Sequence, residues 1–508
     1  MATIAYDVKN GIKYAKVTSS RREGQKVRTE QIHLGRVLEE ERGIYQNRER
    51  GVFTYDLETD SYGTPPSSYV PPVLRRKGSR ELLILDFGDS FFIAQYIALK
   101  GLGPVIEALG YGNADTLYAM VHYYVQCNMA NRHALAWWEG SYVRELYPGA
   151  NLSSQRISDL LASIGDEWSH RAFFEQYLSL VARRDGGDDI LIDSTGLPNS
   201  IHFPLTAISN HNGEISNEVR LIYVVQQHTD LPLFFRYCPG NVIDISTLIK
   251  TLRELKAYNV DTRFAIVDAG YLDEANMRAL YENGVSFLSR MKENLKVYKQ
   301  MVAKHLPALE AKENLVEYNG RYVYVVRDQS QLVEGHNAYV YVCRDIAARN
   351  MHSSKLFAKA KEKKMDAAEV HEALEQKGVF VLFSSRPIAK EKLLSTYYMR
   401  AQIEQIFDIA KNYTNLLPLR VQSEETFRGH LVLAFIAAVI AKMLQLDLRK
   451  TPYTVESALL NLRNQKCKVF DREVLPQEAV KKVNDVYKLF KLQCPHSIPR
   501  RMIDDFAM

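Results

Sequence analysis

Cysteine is scarce in this chain of 508 residues, and its five copies, Cys127, Cys238, Cys343, Cys467 and Cys494, form no Cys-x-x-Cys pair. That scatter excludes the usual spacing of a zinc site and gives no disulfide framework, as expected of a protein kept in a reducing interior. Charge of one sign is also lacking. The formal net charge is only +5, which permits a polyanionic partner without demanding one, because phosphate binding depends on where Lys and Arg sit. No apolar run is long: Leu431 to Ala441 stops at Lys442, short of a bilayer span, and reads as a buried helix. Met1 to Asp7 lacks the basic and apolar regions of a secretory signal. The expectation is a cytoplasmic, nucleoid-associated protein with no membrane partner. Tryptophan is limited to Trp137, Trp138 and Trp168.

What is present is ordinary globular material, 46% apolar and 25% charged, in a chain too long for one average domain. Residues Ile4 to Val37 alternate in strand fashion, with turn signals at Asn10-Gly11 and Arg22-Glu23-Gly24. They predict a small three-stranded antiparallel sheet within residues 1–60, a possible DNA contact. A Pro-rich linker follows over 61–80. Residues 81–184 turn to helical periodicity, with a Ser-capped helix opening near Ser153. This stretch reads either as a DNA-end-binding module or as helices packed on a core. Basic clusters stand at Arg21, Arg22, Lys26 and Arg28, at Arg75, Arg76, Lys77 and Arg80, and from Lys355 to Lys364. Singly, such runs are solvated faces.

From residue 185 the pattern becomes three strands, then alternating helix and strand, the order of a mixed sheet with helices on its faces. The fold class is α/β, with catalytic core over 185–292 and 379–445. A β-rich and Lys-rich insertion over 293–378 interrupts it, and a helical region over 446–508 closes the chain. In the insertion Tyr322 and Tyr324 share one strand face, as do Tyr339 and Tyr341. Those rings either pack a small core or stack on an unpaired base.

Two of the buried strands end in a carboxylate: Ile190-Leu191-Ile192-Asp193 and Phe264-Ala265-Ile266-Val267-Asp268. Such a group is costly to desolvate unless it is paired or binds a metal. A long helix from about Lys390 to Asn412 carries Tyr397, Arg400, Glu404 and Lys411. At about 100° per residue they share one stripe of roughly 60°. Two Asp and one Glu supply the oxygen ligands that two divalent cations roughly 4 Å apart require for in-line attack at phosphorus. All-oxygen ligation suits two Mg²⁺, with Mn²⁺ as a substitute.

These residues also resemble a known family. Tyr397-x2-Arg400-x3-Glu404-x6-Lys411 matches in full the Tyr-x2-Arg-x3-Glu-x6-Lys signature of DDE transposases of bacterial insertion sequences. Leu191-Ile192-Asp193-Ser194-Thr195-Gly196 and Ile266-Val267-Asp268-Ala269-Gly270-Tyr271 resemble the first and second acidic motifs, and Arg428-Gly429-His430-Leu431 resembles the segment opening the next helix. The resemblance, over about Asp189 to Lys442, implies an RNase H-like core in which Asp193, Asp268 and Glu404 are catalytic metal ligands. It implies that Tyr397, Arg400, Lys411 and His430 contact DNA. The implied partners are double-stranded terminal inverted repeats and target DNA, bound by a homodimer on paired ends. The implied reaction is metal-dependent cleavage at transposon ends and strand transfer. A nuclease without strand transfer and a host-adopted DNA-binding protein are the alternatives. The family's hairpin pathway uses a Trp in the insertion, and none is there.

Overall fold

The computed structural model describes residues 2–9, 12–23, 26–47, 49–66, 69, 81–182, 189–199, 205–209, 215–242, 245–363, 366–414, 416–419, 421 and 423–500. The expected turn at Asn10-Gly11, most of the Pro-rich linker, the basic group at Arg75 to Arg80 and Lys364 lie outside the described residues. The chain divides into two units, one of Met1–Leu85, Lys466–Ala479 and Gln493–Met508, the other of Asp86–Gln465 and Val480–Leu492.

The first unit holds six antiparallel strands in sequence order, from Ala2–Lys9 to Ser61–Gly63, where the alternation predicts three. The extra three are short: Ile44–Asn47, Gly51–Asp56 and Ser61–Gly63. Residues alternating along the strands bury one face, Ala15, Val17, Leu34, Tyr45, Phe53 and Tyr55. The region expected to be helical after residue 446 also contributes strands, Lys466–Phe470 and Glu473–Pro476, which pair with each other around a tight turn. Cys467, Val469 and Val474 are buried, and that period-two burial suits a strand rather than a helix.

The second unit contains the helical stretch and the mixed sheet. Helix α1 (Ala114–Gln126) starts at Asn113, whose side chain accepts from the Thr116 N–H. α2 (Ser154–Ile164) and α3 (Glu167–Ala182) follow. Next come β1 (Ile190–Pro198), β2 (Ser216–Gln226), β3 (Pro232–Pro239), α4 (Ile245–Ala257), β4 (Phe264–Val267), α5 (Glu274–Glu282) and β5 (Ser286–Arg290). Further on lie β6 (Leu315–Tyr318), β7 (Arg321–Val333), β8 (His336–Asp345) and β9 (Val379–Ser384). The spatial order is β3-β2-β1-β4-β5-β9-β8-β7-β6. β1, β4 and β5 run parallel, while β2 and β3 run as antiparallel neighbours outside β1. This is an RNase H-like core. The strands of the insertion extend the same sheet, because β9 pairs antiparallel with both β5 and β8.

α8 (Glu424–Leu448) packs between the helices and the sheet and is capped by Ser423, whose hydroxyl and Thr426 satisfy each other's backbone N–H groups. At 25 residues it is longer than its Leu431–Ala441 core suggests, and long and apolar enough by composition to cross a membrane. Most of that apolar stretch is buried inside the protein, and the aromatic ring of Phe435 lies against Phe173, Phe174, Tyr177 and Phe235. The helix continues through Lys442, whose buried ammonium donates to Gln445 Oε1 at 2.9 Å.

Buried histidines add acid sensitivity to this unit, His122 most of all. His122 of α1 is fully buried, its Nδ1 bonded to Gln126 Nε2 at 2.8 Å, and burial pushes its pKa down to about 3. The ring is neutral in the folded state and protonates near 6.5 in the unfolded chain, so the unfolded state binds the extra proton between those values. Stability present above pH 6.5 is therefore lost as pH falls towards 3, by about 2 kcal/mol at pH 5. The thermal midpoint should drop from pH 7 to pH 5, and His122→Leu should flatten that slope even if it lowers the midpoint at pH 7.

Candidate active site

The register of the sheet builds the site. Ile192 of β1 lies opposite Val267 of β4 in parallel pairing, so the next residue of each strand, Asp193 and Asp268, emerges at the same level. Asp268 follows the end of β4 as expected, whereas Asp193 lies within β1, which continues to Pro198 instead of ending at the carboxylate because β2 goes on pairing with it. The Ser194 N–H donates to Asp193 Oδ1 at 2.9 Å and fixes that carboxylate against its own strand.

One cation bridges the pair. Arg400 donates from Nη2 to Asp193 Oδ2 and from Nη1 to Asp268 Oδ1, both at 2.9 Å, and Nη1 also lies 3.1 Å from Tyr397 Oη. The Asp193 and Arg400 side chains retain 14% and 17% exposure, against 44% for Asp268. Burial pushes the Asp193 carboxyl up, against the pull of the Arg400 guanidinium. Burial opposes the Arg400 charge too, but Asp193 and Asp268 together outweigh it and raise its pKa. A carboxylate this short of water is held ionised by whatever cation faces it.

The segment that delivers Arg400 is not one continuous α-helix. α6 (Lys390–Tyr397) passes through a single 3₁₀ turn at Tyr398–Arg400 into α7 (Ala401–Asp408), which ends in a π turn at Ile409–Tyr413. Tightening and then widening the helix removes the simple stripe expected from a constant 100° per residue. Tyr397 and Arg400 still converge on the two aspartates. Lys411 goes elsewhere on β1, donating to Thr195 Oγ1 at 2.6 Å and to the Gly196 carbonyl at 3.1 Å, and burial lowers its pKa. Glu404 stands exposed on α7. Among the described residues no three His, Cys, Asp or Glu side chains gather as a metal-binding group. The structure thus joins Asp193, Asp268, Arg400 and Tyr397, and leaves Glu404 outside.

His430 requires a correction. It is 4% exposed, with Nε2 donating to the Leu416 carbonyl at 3.0 Å, which leaves Nδ1 to accept from the Tyr124 hydroxyl at 2.7 Å. Burial lowers its pKa. With both ring nitrogens occupied, it ties α8 to α1 and has no hydrogen-bonding atom left for DNA.

Glu218, which the sequence did not single out, lies over Gly196 of β1, on the side where Lys411 is bound. It is fully buried on β2, and among the described residues neither carboxylate oxygen has a hydrogen-bond partner. A Cβ at Gly196 would lie 2.0 Å from its Oε2, so only glycine leaves room for it. Its charge acts on Lys411. The signal available in the sequence was a lone acidic residue at the head of the apolar run Val219 to Val225.

In the insertion, Tyr341 is fully buried, its hydroxyl donating to the Ile388 carbonyl and accepting from the Ile388 N–H. It is structural, so the stacking alternative fails for that ring. Tyr322 is exposed, and Tyr318 stacks on Tyr398 with centroids 5.4 Å apart.

Three comparisons bear on this arrangement. No curated protein matches the chain. Among solved structures, a cryo-EM structure of the piggyBac transposase synaptic complex with hairpin DNA is similar at a TM-score of 0.36 and 11% identity, covering 78% of this chain and 73% of that one. The transposase DDE domain family matches residues 185–440, just over half of the chain, and contains both aspartates, the Tyr397 to Lys411 segment and most of α8. The chain therefore belongs to the transposase DDE domain family and is a DNA transposase, an enzyme that cleaves and transfers DNA.

Proposed function

We propose that Asp193, Asp268 and Glu404 hold two divalent cations, Mg²⁺ or Mn²⁺, at the ends of an insertion-sequence element of the Tyr-Arg-Glu-Lys class. The observation that carries this reading is the pairing of Asp193 and Asp268 on one guanidinium. Two ionised carboxylates this close require a cation between them, and their all-oxygen donor set fits a hard divalent ion. When bound, such ions activate a water or 3′-hydroxyl and stabilise the leaving oxygen at phosphorus. The residues do the rest. β1 and β4 fix the two aspartates, the Ser194 N–H orients one of them, and Glu404, exposed on α7, would supply the third carboxylate. Tyr397, Arg400 and Lys411 hold phosphates of the cleaved end, Arg by a planar fork and Lys as a point charge.

The partners in this reading are the terminal inverted repeats and target DNA, bound by a homodimer, with residues 1–60 and 81–184 contributing to end recognition. Exposed Tyr322 of the insertion serves the displaced base, where stacking is worth about 1–3 kcal/mol. The test is an assay with a duplex carrying the element's own end and a target plasmid. Joined product should form in Mg²⁺ or Mn²⁺ and vanish in EDTA. Joining that persists in EDTA would remove the metals from the mechanism, and equal joining of a random duplex would remove the inverted repeats.

A further inference from the structure

A residue given to phosphate is, in this structure, fully engaged elsewhere. Arg400 directs Nη1 and Nη2 at Asp268 and Asp193, shares Nη1 with Tyr397 Oη, and leaves only Nε without an acceptor. With Nη1 and Nη2 turned to the carboxylates and Nε buried, the guanidinium offers no exposed fork to a phosphate in this arrangement. A divalent cation that takes Asp193 Oδ2 and Asp268 Oδ1 must displace it, because those are the oxygens the guanidinium occupies and its like charge beside them opposes loading. The backbone around it is the irregular part of the segment: a 3₁₀ turn ends at Arg400, and a π turn closes α7 on its far side. Such departures from α geometry mark places where a helix shifts at low cost.

We propose that Arg400 is the resident counter-cation of the Asp193–Asp268 pair, that it competes with the divalent metal for those carboxylates, and that metal loading releases it to bind DNA phosphate. The inference rests on the reading of the two aspartates as metal ligands. It gives Arg400 two successive partners. Before loading, it keeps two neighbouring carboxylates from repelling each other. After loading, the freed guanidinium makes metal and phosphate binding mutually favourable, because each shifts the same equilibrium.

The experiment is Mn²⁺ binding to the full-length protein without DNA, followed by electron paramagnetic resonance. If the arginine-bound state predominates by about ten to one, Arg400→Gln should bind Mn²⁺ about tenfold more tightly than wild type, because the competent fraction is no longer limiting. Lys411→Gln removes another cation seated on β1 without touching either carboxylate, and should leave Mn²⁺ affinity nearly unchanged. Equal gains in both variants would mean a general field effect and overturn competition. Melting adds a second readout: Arg400→Gln should lose thermal stability in EDTA and regain it with Mn²⁺. A loss that Mn²⁺ does not restore would make the arginine merely structural. Should Arg400→Gln fail to fold, Arg400→Lys, which keeps the charge but cannot fork to both carboxylates, should show a smaller gain. Unchanged affinity there would also overturn the proposal. Asp193→Asn separates the two ideas: if it binds Mn²⁺ like wild type, the ligand reading has failed, whereas lost binding beside an unaltered Arg400→Gln condemns competition alone.

Discussion

Asp193→Asn, Asp268→Asn and Glu404→Gln should each reduce DNA cleavage on the order of a thousandfold or more, the scale at which removing one member of a unit-acting constellation abolishes its chemistry. DNA affinity should change little, because the proposed role is metal ligation and not phosphate contact. The three should differ in stability. Asp193 is the more buried partner of Arg400, with 14% side-chain exposure against 44% for Asp268. Neutralising it leaves a buried guanidinium with less compensation, and solvent screens the Asp268 pair more strongly. Glu404 is exposed on α7, so Glu404→Gln should melt like wild type. Cleavage rates, gel-shift affinities and melting curves for the three variants test the set. Near-normal cleavage by any one of them in Mg²⁺ would remove that residue from the site.

Gly429→Ala should be among the most damaging substitutions outside the chemistry. A Cβ at Gly429 would lie 2.0 Å from the Leu161 carbonyl oxygen, and one at Gly165 would lie 2.0 Å from the Glu425 carbonyl oxygen. α2 and α8 therefore cross with their backbones in near contact, and what a methyl group meets there is backbone that cannot rotate away. Overpacking in a well-filled interior costs about 1–3 kcal/mol, and this site should reach the top of that range. The strain would pass to His430 and Tyr124, which join α8 to α1. Gly140→Ala is the control. Nothing lies within 4 Å of its Cβ position, and alanine favours the helix it ends. Urea unfolding of both variants decides it: equal stabilities would mean that the crossing is looser than the distances say.

The legible parts of this protein were those written in local pattern. Ile190 to Asp193 and Phe264 to Asp268 announced themselves as apolar runs closed by a carboxylate, and the two runs do pair side by side. Only Asp268 follows a strand end, however, and β1 continues past Asp193 to Pro198. The three-strand start of the core and its alternation with helices were legible for the same reason. What escaped depended on long-range pairing. Val379 to Phe383 was legible as an apolar return to the core, but no local signal showed that it would also pair with β8 and so carry the insertion's strands into the core sheet. Nor did one show that Glu218 would lie buried over Gly196. The segment from Tyr397 to Lys411 was read as uniform helix, and the 3₁₀ and π turns altered which side chains meet. His430 carried a motif and no indication of its burial. Both of its partners, Tyr124 and the Leu416 carbonyl, are fixed by tertiary packing. In the first unit, Ile44–Asn47 and Ser61–Gly63 are too short for alternation to declare them strands.

In the proposed function, Asp193, Asp268 and Glu404 gather round metal when the protein engages its DNA. Fe²⁺ substituted for the native ion, with ascorbate and peroxide, cuts the polypeptide wherever the metal sits. On the DNA-bound protein the cuts should cluster around Asp193 in β1, at the end of β4 and along α7, and Asp193→Asn should erase all three. Cuts confined to other segments, or a pattern that survives Asp193→Asn, would contradict the account.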